Sequence, residues 1–385
     1  ATAHQAQVAI RQAEIVVALS RATELAMGQP ADFALRSCVL AVDLAHALGM
    51  GAEDVREVFY LALMRYVGCN AETYALAALF GDEIAFQQDT ATIDLAQPKQ
   101  LLPILLRHIA EVHAGEPPLR RWLNVLGALA RSKAVSSDVL TGHCEVAERF
   151  GTRLGFAPHI VRNLGQLYAR WDGKGIAAGL QGEALRVVTL AQDAITLDDA
   201  YGLSRCVERT KQRRGKIYDP CMVDCLAANA EKLMASLTAR TSWQAVLALE
   251  PEPHGQLNPP DVDEMFLALA GFIDIKSPFT SGHSRALAEL AAGAARQFGL
   301  PESDAMKLRK AMAGRNVRLR LFHSLMRRAP RPKAEARLGE RSVPVRLQHL
   351  QHRLLDKAVE HRRDAERPQA ADAFGISTRR TGCGL

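Results

Sequence analysis

The chain has 385 residues, 48% hydrophobic and 23% charged, which suits one large folded domain or two ordinary ones and excludes wholesale disorder. Only 5% are aromatic, and alanine and leucine carry most of the apolar content, so helices are favoured over sheets. The net charge of +6 divides unevenly: residues 311–385 carry about +10 and the rest about −4, so any argument from charge to nucleic acid concerns the tail alone.

Residues 6–26 read as a helix with Val8, Ile15, Leu19 and Ala22 near one face. Asp32 is placed to cap a second helix that runs to Leu48 and stops at Gly49 and Gly51. A third follows from Asp54 to about Val67, with Val55, Val58, Phe59, Ala62 and Met64 facing inward. The stretch 81–135 is helical but punctuated by Pro98, Pro103 and the Pro117–Pro118 pair. Helices resume at His143–Gly155 and Pro158–Arg170, before the turn-rich segment 171–182. Further helices reach about Leu249, and the proline-rich stretch 250–260 reads as a linker. Asp261 and Glu264 make a capping box for a helix at 262–273. Beyond it the chain turns arginine-dense, with one short helix expected at 346–363 and disorder or loose docking elsewhere. Almost nothing alternates with period 2, so the expected class is all-α.

No run approaches the roughly 18 apolar residues of a membrane helix. No basic start precedes an apolar block at the N-terminus, so a signal peptide is not expected and the reading is cytoplasmic, without membrane partners. The seven cysteines form no CxxC and read as free thiols of a reducing compartment.

Sliding the chain over itself by 250 residues lays DFALRSCVLAVDLAHALGM (32–50) on GHSRALAELAAGAARQFGL (282–300). Both show a turn, an amphipathic helix, a glycine stop and another helix, which points to a duplication. SPFTSGHSRALAELAAGAARQFGLPE resembles the opening of an HD-GYP domain, with His283 as its first metal-binding histidine. RWDGKGIAAGLQGEAL (170–185) resembles the signature loop of that family, LAQDAITLDDAYG (190–202) the following helix with Asp193, and RRGKIYDPCMVD (213–224) its closing segment. The resemblance covers roughly 30–312 in two copies. It implies an HD-domain-like helical bundle binding iron or manganese and hydrolysing phosphodiesters, typically the second messenger cyclic di-GMP. Imidazole and carboxylate ligands suit such metals, and a bridged pair can ionise a water that attacks phosphorus.

The pattern is incomplete. In the first copy the opening histidine falls on Phe33, and the His-Asp pair falls on Arg65 and Tyr66. A cation in that place argues against a metal. Ile176 and Ala177 replace Tyr-Pro in the loop, and NLGQLYARWDG lacks the expected paired histidines. The second copy keeps His283, but the offset places its His-Asp pair on Arg315 and Asn316, and it breaks off near 312.

The resemblance leaves His143, Asp172, Asp193 and His283 as candidate metal ligands, with Gly173, Lys174 and Gly175 as the loop that would meet a phosphoester. Each has a plainer reading. His143 at a helix start serves as a cap, Asp172 as a turn former, and Asp193 as a buried carboxylate paired with Lys174 or Arg170. His283, lacking co-ligands, is an orphan.

The expected organisation is a degenerate HD-GYP-like domain at 1–249, a linker at 250–260, the start of a second such domain at 261–312 and a basic tail at 313–385. The expected function is a regulatory module that senses a nucleotide or a partner and forms a homodimer. The alternatives are an active metal-dependent phosphodiesterase for a cyclic dinucleotide, and nucleic-acid binding through the tail.

Overall fold

The structure, a computed structural model, describes residues 10–27, 29–30, 32–70, 73–174, 182–237, 240–257 and 282–313, with isolated positions between 267 and 280. All lie in the unit Ala1–Ala329; the other unit, Pro330–Leu385, lies outside the described residues, as do the expected helix at 346–363 and Gly175. The expected capping residues Asp261 and Glu264 lie outside them too.

The class is all-α. A short antiparallel pair, β1 (Ile10–Arg11) with β2 (Gln256–Leu257), leads into α1 (Gln12–Ala26). Then come α2 (Phe33–Ala47), α3 (Ala52–Met64), a 3-10 turn (Val67–Asn70), α4 (Thr73–Phe80), α5 (Glu83–Thr90), α6 (Pro98–Val112) and α7 (Pro118–Arg153). The chain continues through α8 (Pro158–Leu164), α9 (Glu183–Tyr201), α10 (Leu203–Gln212), α11 (Pro220–Ala235) and α12 (Trp243–Leu247). Last are α13 (His283–Gln297) and α14 (Glu302–Ala313). Proline opens α6, α7, α8 and α11, where its missing N–H is unneeded and its fixed φ suits the first turn. No helix of the described residues is long and apolar enough to cross a membrane.

The main core is built on α2, α3 and α9. Cys38 to Val42 of α2 are fully buried, as are Val187, Val188, Leu190, Ala191, Ala194 and Ile195 of α9. Such helices are apolar nearly all round because they lie at the centre. Each fully buried leucine or valine contributes roughly 1.5–3 kcal/mol. A second core holds α4, α5, α6 and the first half of α7, where the Phe80 and Phe86 rings stack at 3.9 Å. The second half of α7 enters the main core through Cys144, Ala147 and Phe150. One helix of 36 residues, about 54 Å long, joins the two.

Several expectations change. The first helix begins at Gln12, because Ile10 and Arg11 pair with β2. Asp32 does not cap α2 through its side chain: its backbone is left-handed (φ 63°) and its carboxylate pairs with Arg21. The third helix spans Ala52–Met64, and the eighth ends at Leu164. His143 heads no helix; it lies inside α7. The start of the proline-rich stretch is tied to the body, since Glu250 is buried, takes a bond from Arg11 at 2.6 Å and one from Tyr60 at 2.5 Å, and β2 follows it.

The 250-residue offset has a counterpart in the backbone. α2 follows a left-handed Asp32 (φ 63°), and α13 follows a left-handed Gly282 (φ 74°). At the other end Gly49 (φ 74°) and Gly299 (φ 73°) close the helices with the same bonds, Met50 N–H to the Ala45 carbonyl and Leu300 N–H to the Ala295 carbonyl. Cys38, Val42, Ala45 and Val55 of one pair are buried, and so are Ala288, Ala292, Ala295 and Ala305, each 250 residues on.

Candidate functional site

The residues that the motifs pick out in the first copy gather where α3 ends, α7 passes, and the segments at 167–174 and 213–218 meet α9. Arg65 terminates α3 and is half-buried. Its Nη1 donates to the Leu167 carbonyl at 3.1 Å and to Thr189 Oγ1 of α9 at 3.0 Å. Burial alone would lower its pKa, but Tyr66, Asp193 and Tyr168 outweigh that and raise it, so the guanidinium is a fixed positive charge. Tyr66, the other residue at the expected His-Asp pair, lies against Phe33 at 5.8 Å between ring centroids.

Asp193 lies one turn along α9 from Thr189, on the same face. It accepts a bond from the Tyr218 hydroxyl at 2.7 Å. Tyr218 is 2% exposed, and burial followed by the Asp193 charge raises its pKa, so it stays a donor. Arg213 reaches the Tyr218 hydroxyl at 3.4 Å and the Thr92 carbonyl at 2.6 Å. The partner of Asp193 is therefore a tyrosine with Arg65 nearby, and neither Lys174 nor Arg170 serves. Arg170 is taken: it grips Asp172 with two nitrogens, at 3.0 and 3.1 Å, and Asp94 at 2.5 Å.

His143 is 3% exposed, with Nδ1 3.0 Å from the Tyr168 hydroxyl and Nε2 without a partner. Burial lowers its pKa to about 4. The Tyr168 hydroxyl also lies 3.4 Å from Cys69 Sγ. The backbone of Gly68 runs so close to the His143 carbonyl that no side chain fits there.

Asp172 sits in the expected turn. Besides Arg170 it accepts the Lys174 N–H at 3.1 Å, and its own N–H donates to the Lys216 carbonyl at 2.9 Å. Arg170 holds its carboxyl below the usual range. Gly173 takes the left-handed conformation the turn requires (φ 69°), and Gly173 and Lys174 are exposed. Trp171 lies beneath the Arg186 guanidinium, 5.0 Å away. His283 opens α13 and is exposed; the Asp274 carboxylate beside it receives the Ser284 N–H and hydroxyl, both at 2.7 Å.

The candidate ligands thus do not converge. Among the described residues no hydrogen bond or ion pair joins His143, Asp172, Asp193 and His283, and no group of three or more His, Cys, Asp and Glu could hold a metal. A divalent metal does not fit the donors present: His143 offers Nε2 as a single free nitrogen, but Asp193 is bonded to Tyr218 with a guanidinium beside it and Asp172 is gripped by Arg170, so no second ligand joins it. What the cluster can do is hold charge and position loops. Tyr168, Thr189 and Tyr218 were not singled out from the sequence; the signal for the two tyrosines was their place at the motifs, in LYARWDG and IYDP.

No family model matches the chain. A curated relative from Vibrio cholerae serotype O1, the 3'3'-cGAMP-specific phosphodiesterase 3, is 22% identical over 307 residues, covering 77% of this chain. That alignment spans 66% of the relative's own length. The crystal structure of the cyclic GMP-AMP specific phosphodiesterase V-cGAP3 of V. cholerae superposes with a TM-score of 0.59 at 20% identity, over 86% of this chain and 75% of the other. The two share a fold.

Proposed function

We propose that the chain is a protein of the HD-GYP phosphohydrolase type whose first domain has given up metal chemistry and serves as a regulatory module for a cyclic dinucleotide or a protein partner. The observation that carries this reading is Arg65. Its guanidinium, held by the Leu167 carbonyl and Thr189, stands where the family resemblance puts the His-Asp pair and so where the metals would lie. One fixed organic cation beside Asp193 repels a divalent ion and supplies no open position at which water is ionised. Similarity to a 3'3'-cGAMP-specific phosphodiesterase supports the ligand class. The matched caps of α2 and α13 support the duplication, with a first domain at 1–249 and the start of a second at 261–312.

In this reading the Arg65–Asp193–Tyr218–Arg213 chain fixes the 213–218 segment against α9, and Arg170 with Asp94 and Asp172 fixes the turn at 171–174. The exposed Gly173 and Lys174 then offer a backbone turn and an ammonium to a phosphate, with Gly175 next in sequence.

The runner-up is an active phosphodiesterase using iron or manganese on His143, Asp172, Asp193 and His283; the activity named for the relative favours it. Nucleic-acid binding through the basic tail rests on residues outside those described. Chromatography of 3'3'-cGAMP and cyclic di-GMP incubated with the protein and added iron or manganese separates the first two. The expected outcome is intact dinucleotide; cleavage that disappears in Asp193→Asn overturns the proposal.

A further inference from the structure

α6 and α7 leave an apolar face that none of the other described residues covers. Leu119, Trp122, Leu123 and Leu126 of α7 are 77%, 66%, 63% and 57% exposed, and Leu102 and Leu106 of α6 are 42% and 38% exposed. Their spacing makes them continuous. On α6, Leu105 and Ile109 point into the second core, and Leu102 and Leu106 sit about a quarter turn to one side. On α7, Val125 and Ala128 point into that core, and Trp122 and Leu126 sit a quarter turn to one side in the same sense. The short connection 113–117 makes the two helices antiparallel, and right-handed antiparallel helices that share a seam turn towards the same side of it. The two sets therefore emerge on one face.

The hairpin that carries this face is braced. Arg121 donates to the Ala110 carbonyl at 3.2 Å, Asn124 to Glu116 at 2.6 Å, and Glu116 lies 3.0 Å from His113 Nδ1. A face fixed in this way loses little freedom on association.

We infer that the α6–α7 face is a self-association surface that pairs with the same face of a second copy, forming a two-fold dimer in which the hairpins make a four-helix layer. Area selects the occupant. The six side chains expose roughly 700 Å², more than the ~300–600 Å² of the largest patch on an ordinary monomer and close to the ~800 Å² each partner contributes to a standard interface. Homodimer interfaces are also the apolar class, and a tryptophan among leucines is the kind of anchor on which they depend. One patch used by both subunits closes as a two-fold pair and buries this face on both.

Light scattering and sedimentation of the full chain at micromolar concentration test this. The expected mass is twice 42.0 kDa, falling to 42.0 kDa in Trp122→Glu and, separately, in Leu126→Arg, each with a dissociation constant raised at least about a hundredfold. Both positions are exposed, so the variants should keep the helical signal and melting temperature of the parent. A monomeric parent, a dimer that survives both substitutions, or a monomer that binds phosphatidylglycerol vesicles through Trp122 would overturn it.

Discussion

His143 is the group whose titration reports most directly on the state of the site. It lies 3% exposed inside α7, and its lowered pKa of about 4 means that the folded protein holds the ring neutral at ordinary pH. In the unfolded chain the ring takes up its proton near pH 6.5. Between those two values the unfolded state binds the extra proton and the folded state does not, so stability falls as pH falls, and above about 6.5 the group has no effect. Integrated from pH 7.5 to 5, this one ring costs about 2 kcal/mol. His143→Asn removes the titration while keeping a polar group for Tyr168. Urea denaturation of both proteins at pH 7.5 and 5, with the metal chelated, should show the parent losing about 2 kcal/mol more than the variant over that interval. Equal losses in the two proteins would refute the buried neutral ring.

Tyr218→Phe removes the donor to Asp193 and leaves the carboxylate beside Arg65 one bond short. A loss of about 1.5–3 kcal/mol by urea denaturation is expected, and a neutral result would show that Asp193 does not depend on that hydroxyl. Gly68→Ala sets a methyl group against the His143 carbonyl, a backbone atom inside a long helix that cannot swing away. It should destabilise by about 3 kcal/mol, and an unchanged melting temperature would mean that the 3-10 turn does not press on α7.

The helices were legible because burial imposes a period. α2, α3 and α9 repeat apolar residues densely enough to mark them, and Gly49 and Gly299 stop their helices as read. The caps were less legible. Asp32 is a favoured capping residue, yet in a left-handed backbone its carboxylate turns to Arg21. His143 is expected at a helix start in the sequence and lies inside α7, where Gly142 is a weak point. A helix anchored in one core by Val125 and Ala128 and in another by Ala147 and Phe150 runs through that weak point. Arg65 and Tyr66, at the place where the resemblance expects a His-Asp pair, were visible in the sequence, but their partners were not. Thr189 reaches Arg65 from 124 residues away in the chain, Tyr168 reaches His143 from 25 residues on, and Tyr218 reaches Asp193 from beyond α10, contacts that no local spacing encodes. The strand pair β1–β2, two residues each, carries no period at all.

The proposal that Arg65 stands in place of a metal is tested most directly by the metal content of protein purified anaerobically without chelator. With Arg65 beside Asp193, and His143 and Asp193 bonded to tyrosines, iron and manganese should fall far below one ion per chain, and adding either should leave the melting temperature unchanged. Stoichiometric iron or manganese that is lost in His143→Ala or Asp193→Asn would contradict it.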